Sequence, residues 1–240
     1  MANPKFYVKE KDNYNMKKIY SIGILLIITL LFFSLKYSNY WSSLLFNTEN
    51  KLTETSMWSS RIFIWICLLI LLAYQKFSEK SFFLIFKNQN YSFFSFIKKA
   101  AIVYISAIIV AISLKLIINI IVGDESASGK MTELIKIFKA NFLLLIITCM
   151  TAGITEELIF RGYIQPRIEK IFNSSYASII ITNIIFGLVH FTYGSVSQII
   201  VPIGIGLVFS FFYKKYQNIY LLIFVHFLFD FLILLPNYFN

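Results

Sequence analysis

The chain has 240 residues, of which 58% are hydrophobic, 18% aromatic and 14% charged. Soluble domains carry roughly 25% charged residues and less apolar side chain, so a soluble globular fold is excluded. The formal net charge of +10 does not indicate a nucleic-acid partner, because the basic residues fall between long apolar runs and there act as orientation signals.

The apolar runs are long and continuous rather than short and alternating, which excludes a β-barrel and predicts an all-α, polytopic transmembrane bundle. In chain order they lie at about 19–35, 58–74, 100–122, from 141 onward, then 176–192, 197–213 and 219–235. That makes about seven spans. The polar N-terminus shows no cleavage site before the first run, which therefore reads as a retained helix, not a signal peptide. Residues 81–97 are apolar but interrupted. They read as an interfacial helix, with an eighth span as the alternative. Cys67 and Cys149 both lie inside apolar runs and predict no disulfide and no zinc finger.

Seven spans divide the basic residues unequally. The N-terminal tail and the even-numbered connections hold 15 of the 22, including Arg161 and Arg167, against 6 on the other side. This predicts a multi-pass protein of the cell membrane with a cytoplasmic N-terminus and its C-terminus outside. Acids and histidines within spans occur only after residue 150. Residues 1–139 thus read as scaffold helices, and residues 140–240 as a functional core within one integrated bundle, formed by the C-terminal four spans.

Five residues stand out inside those spans: Glu156 and Glu157 in the fourth, His190 in the fifth, His226 and Asp230 in the seventh. Each central charge costs roughly 2.5–3.5 kcal/mol on insertion scales, so such residues face the bundle interior and mark a site. Glu157 and Arg161 stand at i and i+4 with the acid first, the favourable order for a helical ion pair. Glu156 points about 100° away from Glu157 and is free to face another partner. His226 and Asp230 share a helix face, as do Phe186 and His190. If the chain reverses near Asn173-Ser174, Glu156 and His190 each lie 17 residues from Asn173 and fall at one depth, with Pro166 disturbing the first arm. Asn183 and Thr182 read as interhelical hydrogen-bonding residues.

A glutamate beside a histidine takes a proton from water and delivers it to a leaving amine. A second histidine stabilises a developing oxyanion. Alternatively, two histidines and a carboxylate hold Zn²⁺ with one position open for water; Glu156, His190 and His226 are the ligands if a metal is used. Both schemes describe peptide hydrolysis in or beside the membrane. No H-E-x-x-H occurs, no pair of aspartates lies in Gly-rich contexts, and the serines of YGSVS (193–197) lack an activating base.

Three segments, EELIFR (156–161), FGLVH (186–190) and HFLFD (226–230), resemble in order the E-E-x-x-x-R, F-x-x-x-H and H-x-x-x-N/D motifs of the CPBP family. That family groups CAAX-processing proteases with bacteriocin-processing and immunity proteins. The resemblance covers about residues 140–236 and implies an intramembrane endopeptidase. It makes Glu156 the main acid/base, working on water with His190, with Glu157 and Arg161 fixing the helix. It assigns His226 and Asp230 to the oxyanion. An ionised Asp230 cannot donate to an oxyanion, and in that state it would orient or charge His226. The family name implies a metalloprotease, while a metal-free glutamate mechanism fits the same residues. The implied partners are the lipid bilayer and a membrane protein or peptide as substrate. The Ile/Lys/Asn/Phe/Tyr-rich composition suggests a bacterial source and a small membrane peptide or bacteriocin-related role. Two rivals stand beside this reading: a catalytically silent scaffold or immunity protein, and a proton-coupled transporter. The lack of repeat symmetry and the scarcity of Gly and Pro in the spans weigh against transport.

Overall fold

The computed structural model describes residues 4–46, 52–81, 89–123 and 129–239, and among these all regular structure is helical. Pro4–Phe46 (α1) forms a 43-residue helix that extends well past the apolar run inside it. Glu54–Phe77 (α2) starts at Thr53. The Thr53 hydroxyl accepts from the Ser56 amide while the Ser56 hydroxyl accepts from the Thr53 amide, satisfying two otherwise unpaired donors.

Phe93–Val122 (α3) follows, then an amphipathic helix, Gly129–Ala140 (α4), that the span reading did not foresee. Asn141 ends that helix and caps the next, accepting from the Leu144 amide at 2.9 Å. Phe142–Ile159 (α5) runs through one wide turn, Phe160–Ile164, into Gln165–Phe172 (α6). Asn173 adopts the left-handed conformation (φ 53°) and the chain reverses, as the sequence predicts. Ser174 then caps Ser175–Val189 (α7), which tightens into a 3₁₀ turn, His190–Tyr193. Ser197–Tyr216 (α8), Ile219–Leu234 (α9) and the short Pro236–Phe239 (α10) complete the chain.

Five segments are long and apolar enough to cross a bilayer: Tyr14–Ser34, α2, α3, the α5–α6 rod and α8. The apolar α7 and α9 are shorter; their 15 and 16 residues reach only about 23 Å of a roughly 30 Å core. The 3₁₀ turn lengthens α7 and α10 lengthens α9. Seven apolar helices thus stand where the seven runs lie. The interfacial helix expected at 81–97 falls in part outside the described residues. Residues 82–88 lie outside the described residues, Asn90–Ser92 are non-helical, and Phe93–Ile97 are the first turns of α3.

The α5–α6 rod is the organising element. It packs on α9, α2, α7 and α1, while α3 and α7 flank α8. Helices in lipid gain no hydrophobic advantage from meeting, so close backbone approach matters. At Gly153 a Cβ would sit 3.0 Å from the Ile223 carbonyl and 3.1 Å from the Phe227 amide. That absence of side chain lets α5 lie directly on α9, one turn before Glu156 and Glu157.

The N-terminal helices are tied to the rod by a buried ion pair. Arg167 donates to Glu79 through Nη2 (2.5 Å) and Nε (3.2 Å), and both side chains are fully buried. The Tyr163 hydroxyl donates to Glu79 Oε1 at 2.7 Å, and the Arg167 guanidinium lies 3.8 Å from the Tyr163 ring centre. Arg167 is therefore not the loop charge that the orientation argument counted, and neither is the equally buried Arg161. The basic asymmetry of the chain rests on its lysines. Glu79→Ala would leave a buried guanidinium without its anion, at an expected cost of about 3–5 kcal/mol. Cys67 and Cys149 are both buried, so a thiol-reactive dye reads this as a lower unfolding midpoint. A midpoint equal to wild type would show the pair to be dispensable.

Candidate active site

The wide turn after α5 has a local cause. Pro166 has no N–H, and in a regular helix its ring would strike the carbonyl four residues back, that of Gly162. The chain widens through Phe160–Ile164 instead, and the Gln165 amide reaches back five residues to the Phe160 carbonyl. Such π turns recur at functional sites. Here the turn holds Arg161 against Glu157, directly after the two adjacent acids.

Glu157 and Arg161 are fully buried, and Arg161 Nη1 donates to Glu157 Oε1 at 3.0 Å, which is the i, i+4 pair expected from the sequence. The same Oε1 accepts from His226 Nδ1 at 2.8 Å. A carboxylate only accepts, so Nδ1 carries a proton and Nε2 is turned outward. Two further carboxylates flank Nε2: Asp230 Oδ2 at 3.6 Å and Glu156 Oε2 at 3.9 Å. Three acids from two helices therefore surround one imidazole. They differ in access, since Glu157 is sealed while the side chains of Glu156 and Asp230 keep 20% and 31% of their surface. Glu157, not Asp230, orients the His226 ring.

His190 enters from α7. Its Nδ1 donates to the Phe186 carbonyl at 2.7 Å; a carbonyl cannot donate, so in the neutral ring the lone pair is on Nε2. The Phe186 ring lies 5.0 Å from the His190 ring and 6.4 Å from the His226 ring, so it packs against both histidines. Its face also carries the Arg161 guanidinium at 4.8 Å. The register of the α5–α7 hairpin follows from two contacts, Phe160 on Phe186 (4.9 Å) and Arg161 on Asn183 (3.1 Å). Counting four residues outward from Phe160 and Phe186 along antiparallel arms places Glu156 and His190 level, as the count from Asn173 predicts. All six sequence candidates, Glu156, Glu157, Arg161, His190, His226 and Asp230, thus belong to one neighbourhood where α5, α7 and α9 meet.

The second layer was less visible in the sequence. Arg161 Nη2 donates to Asn183 Oδ1 and to the Gly206 carbonyl, both at 3.1 Å, while Asn183 Nδ2 donates to Ser210 Oγ at 2.8 Å. Asn183 does bond across helices as expected. Thr182 does not: its buried hydroxyl has no hydrogen-bond partner among the described residues. Gly206 and Ser210 carry no motif, and only α8's position beside Arg161 gives them a role. As to a metal, no three His, Cys, Asp or Glu side chains among the described residues are grouped to hold one. Of the Glu156, His190 and His226 set, His226 is held through Nδ1 by Glu157, which leaves Nε2, 3.9 Å from Glu156 Oε2, as the ring nitrogen that could bind one.

Acids and histidines from three apolar helices thus gather around one buried arginine. Residues 138–232 match a family model described as type II CAAX prenyl endopeptidase Rce1-like. The matched segment is similar to that protease family, and it contains all six candidate residues of the site. Comparisons with curated proteins and with solved structures gave no match.

Proposed function

We propose that the protein is an intramembrane endopeptidase that hydrolyses a peptide bond of a membrane-associated protein or small peptide with water activated by Glu156 and His190. The observation that carries this reading is the convergence of Glu156, His226 and Asp230 within 3.9 Å, in a segment that matches a protease family model. The partly exposed Glu156 takes a proton from a water that His190 Nε2 orients. The water oxygen bonds to the scissile carbonyl carbon. Negative charge then gathers on the carbonyl oxygen, and His226, when it carries both protons, offers Nε2–H to it. Glu156 returns its proton to the amide nitrogen, the C–N bond breaks, and an amine and a carboxylic acid leave. Asp230 stands on the same side of His226 as Glu156 and balances the charge of the ring during this step.

The test is cleavage of a panel of internally quenched, membrane-anchored peptides by the purified protein in proteoliposomes. Wild type is expected to cleave at least one member, with His190→Ala slower by roughly 10²–10⁴-fold. Activity unchanged by a strong chelator supports the glutamate route, and loss restored by Zn²⁺ assigns the water to a metal instead. A panel in which wild type and His190→Ala behave alike would leave the scaffold reading in its place.

A further inference from the structure

The site contains one fork whose far tines do not touch the reacting residues. Arg161 divides its guanidinium between two tasks: Nη1 holds Glu157 Oε1, and Nη2 is held by Asn183 Oδ1 and the Gly206 carbonyl. Guanidinium is planar and rigid, so fixing one nitrogen fixes the other. Glu157 Oε1 is in turn the acceptor for His226 Nδ1. The contacts form an unbroken series from Ser210 through Asn183, Arg161 and Glu157 to His226, crossing α8, α7, α5 and α9. Asn183 is itself locked at its other end, its Nδ2 donating to the Ile179 carbonyl (2.7 Å) as well as to Ser210. Gly206 must be a glycine for this to work. A Cβ there would come 2.3 Å from Asn183 Oδ1 and 3.0 Å from Arg161 Nη2.

We infer that Asn183 and Gly206 are positioning residues that fix the orientation of the His226 ring through Arg161 and Glu157, and so place Nε2 between Glu156 and Asp230. Neither residue touches the water or the peptide. Their effect is on geometry alone, and it makes the α7–α8 contact part of the site. The catalytic consequence rests on the peptidase reading above, whereas the orientation of His226 does not.

The chain has only two histidines, which makes the ring directly observable. Protein labelled with ¹⁵N-histidine in detergent micelles gives signals from His190 and His226 alone, assigned by His226→Gln. Asn183→Ala, which removes the side-chain acceptor of the two that hold Nη2, is expected to shift the His226 Nδ1 signal toward that of a ring without a carboxylate acceptor and leave His190 unmoved. Arg161→Lys keeps the charge but loses the fork, and should do the same. Thr182→Ala removes a neighbouring buried hydroxyl without a hydrogen-bond partner among the described residues and should move neither signal. In the peptide assay Asn183→Ala lowers kcat by roughly 10–100-fold, the range for residues that orient a reacting group from behind, with KM unchanged. The inference is overturned if neither Asn183→Ala nor Arg161→Lys shifts His226 more than Thr182→Ala does, or if both histidines move together. An inactive wild type would defeat the peptidase reading, and the histidine signals would still decide this one.

Discussion

Glu156→Gln is expected to abolish peptide cleavage, by roughly 10²–10⁴-fold, while leaving the fold as stable as wild type. The two halves of this expectation come from one fact. Glu156 is partly exposed and its nearest ionic contact, His226 Nε2, is 3.9 Å away, too long for a hydrogen bond. No buried partner is stranded when the charge is removed. The amide keeps the shape of the side chain but cannot take a proton from water. Cleavage and the thiol-dye unfolding midpoint, measured on the same preparation, check both parts. Activity retained in Glu156→Gln would remove Glu156 from the chemistry and shift the role of base to Asp230 or His190.

Glu157 gives the opposite pairing. Glu157→Ala leaves the Arg161 guanidinium and the His226 Nδ1 donor facing an apolar interior with no shared acceptor. Breaking one side of a buried pair costs about 3–5 kcal/mol, because the remaining charge stays buried. The unfolding midpoint should fall sharply and cleavage should be lost with it. The double variant Glu157→Met/Arg161→Met separates these losses. Replacing a whole buried pair with apolar side chains is often neutral, so stability should largely return. Cleavage should not, since His226 has still lost the acceptor that turns its ring. If cleavage returned with stability, Glu157 would be a packing residue and nothing more. Adjacent acids, one turn of a helix and one sequence motif thus divide into a reactive group and a structural one by access to solvent and by partner.

The sequence alone determined the class of fold and singled out the residues of the candidate site. Apolar runs of spanning length leave the chain no other way to satisfy its backbone than helices in a bilayer. Acids and histidines in such runs are costly enough that their presence marks a site before any contact is known. Even the depth match of Glu156 with His190 was legible, because an antiparallel helix pair converts counts from Asn173 into height. Local sequence also foretold the Glu157–Arg161 pair, since residues four apart on a helix face one another.

Only the tertiary structure decided how these residues are shared among partners. Glu157 and His226 are far apart in sequence, and nothing in either helix says that one oxygen accepts from both Arg161 and His226. Arg167 reads as an orientation charge until Glu79 is brought to it from the end of α2. Asn183, Gly206 and Ser210 belong to no motif, because what matters at those positions is the gap between α7 and α8 and the carbonyl that lines it. A period of 3.6 residues fixes which face a side chain occupies. Which neighbour fills that face depends on how whole helices pack, and in lipid that is settled by close backbone approach and buried hydrogen bonds rather than by hydrophobicity.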